Sequence, residues 1–132
     1  MSAVALLPAG EVHRVDADGI VMRLRIEPWE PVFTGHYPSF ALVPGVYLVD
    51  AVHRAVLEHA ARRGEPRPRL TRIRSARFSS TVLPGDDLEV ACTITVADGV
   101  REVRAQCTTG RGKAATCRLS YLDGDREVAG RG

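Results

Sequence analysis

Lysine is nearly missing from this chain: of its 18 basic residues, 17 are arginine and one is Lys113. The bias runs the whole length, so it reads as compositional habit and not as a site. No apolar run approaches the roughly 20 residues that a membrane-crossing helix requires, so no membrane partner is expected. The opening MSAVALLPAG lacks the positively charged start of a secretory signal, and a cytoplasmic location is expected. Net charge is only +2, too small an excess to point to nucleic acid. The three cysteines form no CxxC pair and no histidine stands at zinc-like spacing. Neither a disulfide framework nor a bound metal is therefore expected. Internal repeats and a second domain are also lacking.

What is present fits one globular domain. At 132 residues with 45% apolar and 26% charged side chains, the chain can bury a core without covalent or metal staples. Residues 1–10 show no periodicity and read as an irregular arm. Glu11–Val15 and Ile20–Glu27 read as strands joined by Asp16-Ala17-Asp18-Gly19, a turn composition. In the second, Ile20, Met22, Leu24 and Ile26 share one face. Pro28-Trp29-Glu30-Pro31 then stops regular pairing.

Pro44-Gly45 opens a helix expected over about 44–63, ended by basic residues and Gly64. Its first half (Val46, Leu48, Val49, Ala51, Val52) is apolar nearly all round, so it must be wrapped by other structure. Four strands follow, at Leu70–Ser79, Leu88–Val96, Arg101–Thr109 and Lys113–Leu122. Cys92, Cys107 and Cys117 fall on their apolar faces, as small core side chains. The order, two strands, one helix and about four antiparallel strands, is an α+β arrangement of one sheet curled around one helix. The domain is expected over 1–122, with 123–132 a disordered tail.

Two titratable groups stand out. His36 lies in a loop just before the helix, and an imidazole exchanges protons near neutral pH. Asp50 sits two turns into the helix among aliphatic side chains, and burial disfavours the charged form of an acid, which suits proton donation. Together they make an acid–base pair. The Gly45 N–H, at the positive end of the helix dipole, can polarise a carbonyl. The plainer alternatives are a surface histidine, an ordinary helix start, and an Asp50 paired with Arg54 or His53 one turn on.

Gly35-His36-Tyr37-Pro38, Val43-Pro44-Gly45-Val46 and Asp50-Ala51 resemble, at the same spacing, the pattern of the FabZ- and FabA-type β-hydroxyacyl-acyl-carrier-protein dehydratases. Ala76-Arg77-Phe78 and Leu83-Pro84-Gly85-Asp86 look like a second segment of that family, and the resemblance covers most of 11–122. It implies a hot-dog fold, with the sheet wrapped around the central helix. It implies a homodimer or trimer of dimers in which His36 of one subunit meets Asp50 of the other. His36 would take the α-proton of a 3-hydroxyacyl thioester, Asp50 would orient or protonate the departing hydroxyl, and the Gly45 N–H would hold the thioester carbonyl. The substrate would arrive on the phosphopantetheine of acyl carrier protein, with no metal or redox cofactor.

The chain departs from the pattern at several points. Asp50 replaces a glutamate, Ser39 and Ala41 replace a loop glycine and proline, and Arg54 stands where a glutamine is usual. The N-terminal arm lacks the family's usual opening. These departures suggest a specialised relative, in polyketide or polyene synthesis more than housekeeping lipid synthesis. Arg54, as a modulator of the acid, also leaves open a non-catalytic subunit that pairs with an active relative. A hot-dog thioesterase is a further alternative, which His36 and the Pro-Gly helix start argue against. An (R)-specific enoyl hydratase ranks low, because Pro31 stands where its aspartate would be. Arg72, Arg74 and Arg77 read either as a docking rim for an acidic carrier protein or as a solvated strand edge that discourages aggregation.

Overall fold

The computed structural model describes residues 10–27, 43 and 45–123. The loop with His36, Pro31 and Pro44, the arm at 1–9 and, of the expected tail 123–132, all but Asp123 lie outside the described residues; Asp123 itself is ordered, accepting the Arg101 Nε–H at 2.9 Å.

Alternating apolar side chains give β1 (Glu11–Asp16), β2 (Gly19–Arg25), β3 (Arg69–Phe78), β4 (Asp87–Ala97), β5 (Val100–Thr109) and β6 (Gly112–Leu122), with α1 (Gly45–Arg62) between β2 and β3. The strands form one antiparallel sheet in the order β1-β2-β4-β5-β6-β3. The register stacks apolar residues on a single face: Leu24 opposite Leu88, Cys92 opposite Ala105, Val103 opposite Leu119. That face is the core, with Ile20, Leu88, Leu119 and Tyr121 at 0% exposure. Each aliphatic side chain fully withdrawn from water there contributes on the order of 1.5–3 kcal/mol. Against it lies α1, burying Leu48, Ala51, Val52, Ala55, Val56, His59 and Ala60, positions three and four apart and so on one stripe. The helix touches β2, β4, β5 and β6. This is the hot-dog arrangement that the sequence implied.

The three thiols are buried and unpaired. Burial pushes Cys117 up to about 11 and Cys107 up to about 12, so neither supplies a nucleophile at neutral pH. Gly64 adopts φ +68° and ends α1: the Glu65 N–H reaches the Ala60 carbonyl at 2.9 Å and the Gly64 N–H the Ala61 carbonyl at 3.1 Å. Both bonds satisfy last-turn carbonyls in a Schellman stop.

One expectation is corrected. The first half of α1 is not wrapped all round: Val46 is 68% exposed, and Tyr47 and Val49 are only half-buried. The sheet reaches one face of the helix, and the opposite face at its N-terminal end stays open in a single chain.

Candidate active site

The helix start fixes the first part of the site. Val43 bridges to Val82, its N–H reaching the Val82 carbonyl at 2.9 Å, and Gly45 is the first residue of α1. Its N–H therefore has no acceptor inside the helix, and no acidic side chain occupies the first turn. The Phe78 ring packs over this point so closely that a Cβ on residue 45 would lie 2.8 Å from ring carbons. A groove of about 540 Å³ opens here between Gly45, Val46, Phe78 and Thr81. Phe78, from the second resembling segment, thus meets Gly45, from the first.

Asp50 is the second part. Its side chain is 29% exposed, and Oδ2 lies 3.1 Å from Nε of Arg54. Neither atom completes a hydrogen bond and both are shielded from solvent, so the contact is an ion pair whose N–H is angled away from the oxygen. The acid is half-buried beside a cation, and not surrounded by aliphatic side chains alone. Arg54 and Ala51 also line a cleft of about 300 Å³ with Met22, Leu24, Leu57 and Arg67.

His53, three residues after Asp50, is the group that sequence reasoning undervalued. Its Nδ1 lies 2.8 Å from the Tyr121 hydroxyl, and the two rings stack at 5.7 Å with an 8° tilt. Tyr121 is wholly buried, and burial pushes its phenol well above the ordinary range. Burial lowers the His53 pKa, Arg67 lowers it further, and the nearby Asp50 opposes both. The i, i+3 spacing from Asp50 was readable in the sequence, but the partner on β6 was not. A second helix histidine, His59, is also buried, with Nε2 2.8 Å from the Asp16 carbonyl. That bond holds α1 to the β1–β2 turn.

The structure therefore gathers Asp50, His53 and Arg54 on one stretch of α1 with Arg67 nearby, and holds Gly45 at the helix start under Phe78. His36 lies outside the described residues. Arg72, Arg74 and Arg77 are exposed on β3, the edge strand. The Leu83–Asp86 segment turns out to be structural. Asp86 accepts the Leu83 N–H at 2.8 Å and both ends of the Arg111 guanidinium at 2.6 and 2.8 Å. Those bonds, the Arg111 one first, hold its carboxyl below the usual range.

Comparison with known proteins agrees with this fold. The family model described as ApeI-like, ApeI dehydratase, matches residues 12–117. The chain is 37% identical over 99 residues to the 3-hydroxyacyl-(acyl-carrier-protein) dehydratase FabZ of Bacillus velezensis, covering 73% of this chain and 62% of that one. It is 32% identical over 96 residues to the FabZ of Macrococcus caseolyticus, covering 70% and 66%. The chain thus spans less than two thirds of the length of these curated relatives.

Among solved structures, the dehydratase heterocomplex ApeI:P from Xenorhabdus doucetiae superimposes with a TM-score of 0.69 at 19% identity, covering 85% of this chain and 94% of that one. A hypothetical thioesterase with coenzyme A from Streptococcus pneumoniae gives 0.74 at 10% identity, covering 92% and 94%. At such identities these two speak for the fold alone, while the family match runs from β1 into β6 of the single sheet and includes the helix with Asp50. The chain belongs to the ApeI-like dehydratase family.

Proposed function

We propose that this protein removes water from a 3-hydroxyacyl thioester carried on the phosphopantetheine of acyl carrier protein, giving the 2-enoyl thioester. In this reading His36 takes the α-proton, and the electron pair left behind forms the Cα–Cβ double bond. The Cβ–O bond breaks, and the hydroxyl leaves as water with a proton from Asp50, directly or through an intervening water. The Gly45 N–H stabilises the charge that develops on the thioester oxygen. The two side chains then return to their starting protonation by exchange with solvent. No metal or redox group takes part in the reaction so written. A specialised pathway, polyketide or polyene, fits the departures at Asp50 and Arg54 better than housekeeping lipid synthesis.

The observation that carries this reading is the half-buried Asp50 in α1, a turn and a half beyond the Gly45 N–H at the helix start, within a chain of a dehydratase family. His36 and Asp50 would meet across a dimer, and the β3 edge supports such pairing. Its outer side pairs with no other strand among the described residues, with Ile73 and Phe78 about half exposed (53% and 52%).

The test is mass spectrometry of 3-hydroxyacyl-carrier substrates of several chain lengths after incubation with the protein. Loss of water is expected, and should disappear in His36→Ala with the circular dichroism unchanged. Full activity in that variant would sink the mechanism, and release of free thiol would make the protein a thioesterase.

A second reading is favoured by the Asp50–Arg54 ion pair at 3.1 Å: a non-catalytic subunit whose acid is a structural partner. A dehydratase of this fold, from Xenorhabdus doucetiae, occurs as a heterocomplex. Water loss only with a co-expressed relative would establish this second reading.

A further inference from the structure

Arginines without carboxylate partners gather on one outer face of this molecule, the paired Arg101 and Arg111 lying at the two ends of β5. Every arginine of β1, β2 and α1 lies 2.6–3.9 Å from an Asp or Glu oxygen. At the other side of the sheet, Arg74 and Arg77 on β3, Arg104 on β5 and Arg118 on β6 have no such partner among the described residues. Arg104 and Arg118 stand directly opposite each other in the β5–β6 register, both exposed on the face turned away from α1.

Two adjoining clefts of about 710 and 420 Å³ share Thr93, Arg104 and Arg118. Arg77 lines the larger and Arg74 the smaller. The one carboxylate in their lining, Glu102, accepts the Ser120 hydroxyl at 2.6 Å and forms no ion pair with these arginines among the described residues. Like charges directly opposite on paired strands destabilise a sheet, so this arrangement works against the fold and calls for another explanation. Neither cleft is lined by an aromatic ring on which bases could stack, unlike single-strand nucleic-acid grooves. A second copy of the same face would bring like charge against like charge. The complement that fits is a surface rich in carboxylates.

We propose that the outer face of β4, β5, β6 and β3, centred on Arg104 and Arg118, docks the acidic carrier protein. The identity of the partner rests on the reaction proposed above. The inference adds the place, a sheet face and not only the β3 edge.

The test is fluorescence anisotropy of a dye-labelled bacterial holo-acyl carrier protein with the full chain, at about 50 and about 300 mM salt, where screening differs about twofold in length. Arg104→Glu/Arg118→Glu should weaken binding at least tenfold and flatten its salt dependence. It should leave kcat/KM for a short pantetheine thioester within twofold. Arg104→Glu alone places opposite charges across the strands, so its Tm should rise by about 1–5 °C while carrier affinity falls. That opposition separates docking from a merely structural role. Unchanged carrier affinity in the double variant overturns the proposal. So does a labelled DNA duplex that binds as tightly as the carrier and is lost with the same arginines. Arginine-dependent carrier binding by a wild-type chain that dehydrates nothing would instead overturn the reaction and leave the docking face standing.

Discussion

Asp50 and Arg54 touch at 3.1 Å without a hydrogen bond, on side chains about one third exposed. A pair of that kind, i to i+4 on a helix, stabilises by about 0.3–0.5 kcal/mol. Arg54→Gln should therefore leave the thermal midpoint within about 2 °C. Asp50→Asn should leave it similarly placed yet reduce kcat/KM for a 3-hydroxyacyl thioester by about 100-fold or more. Calorimetry and initial rates check the two together, and a large loss of stability in either variant would mark the pair as structural. Both residues were legible in the sequence, because i, i+4 neighbours follow from helix geometry alone. Phe78 over Gly45 was not: the contact joins residues 33 positions apart, and nothing local in either stretch encodes it.

At the level of the element, α1 is held at two points by histidines, His53 to β6 and His59 to the β1–β2 turn. The pH dependence follows from the first. In the folded chain the His53 pKa is lowered from its ordinary value of 6.5, mainly by burial. The unfolded chain then binds a proton at a higher pH than the folded one, so stability falls as pH drops below about 6.5 and levels off once the folded ring also protonates. Urea melts between about pH 5 and 8 should show that slope, and His53→Gln should flatten it. Tyr121→Phe, which removes the ring's partner, should cost about 1–2 kcal/mol. The extent of α1 was readable from Pro44, Gly64 and the apolar spacing. The open face at Val46 was not, because how far a sheet curls around a helix depends on strand order.

At the level of the whole molecule, β3 is a ten-residue edge strand, exposed along all its length except at Leu70, which is long for an unpaired edge. If β3 pairs with its counterpart in a second chain, Ile73→Asp should shift the protein from dimer to monomer in sedimentation velocity. A dimer unaffected by that change would place the contact elsewhere. The alternation along each strand gave the sheet away, whereas the β6–β3 neighbourhood and the facing Arg104 and Arg118 depend on pairings distant in sequence. Arg101 is hidden for the same reason. It is 1% exposed, with Nη2 3.2 Å from Glu65 just past the helix, and Asp123 just past β6 bonded to the same guanidinium. One buried cation thus fastens two places where the chain leaves its regular elements. Trimming the protein back to Leu122 would leave that cation with half its counter-charge, so a shortened version or a fused tag is best begun after residue 123.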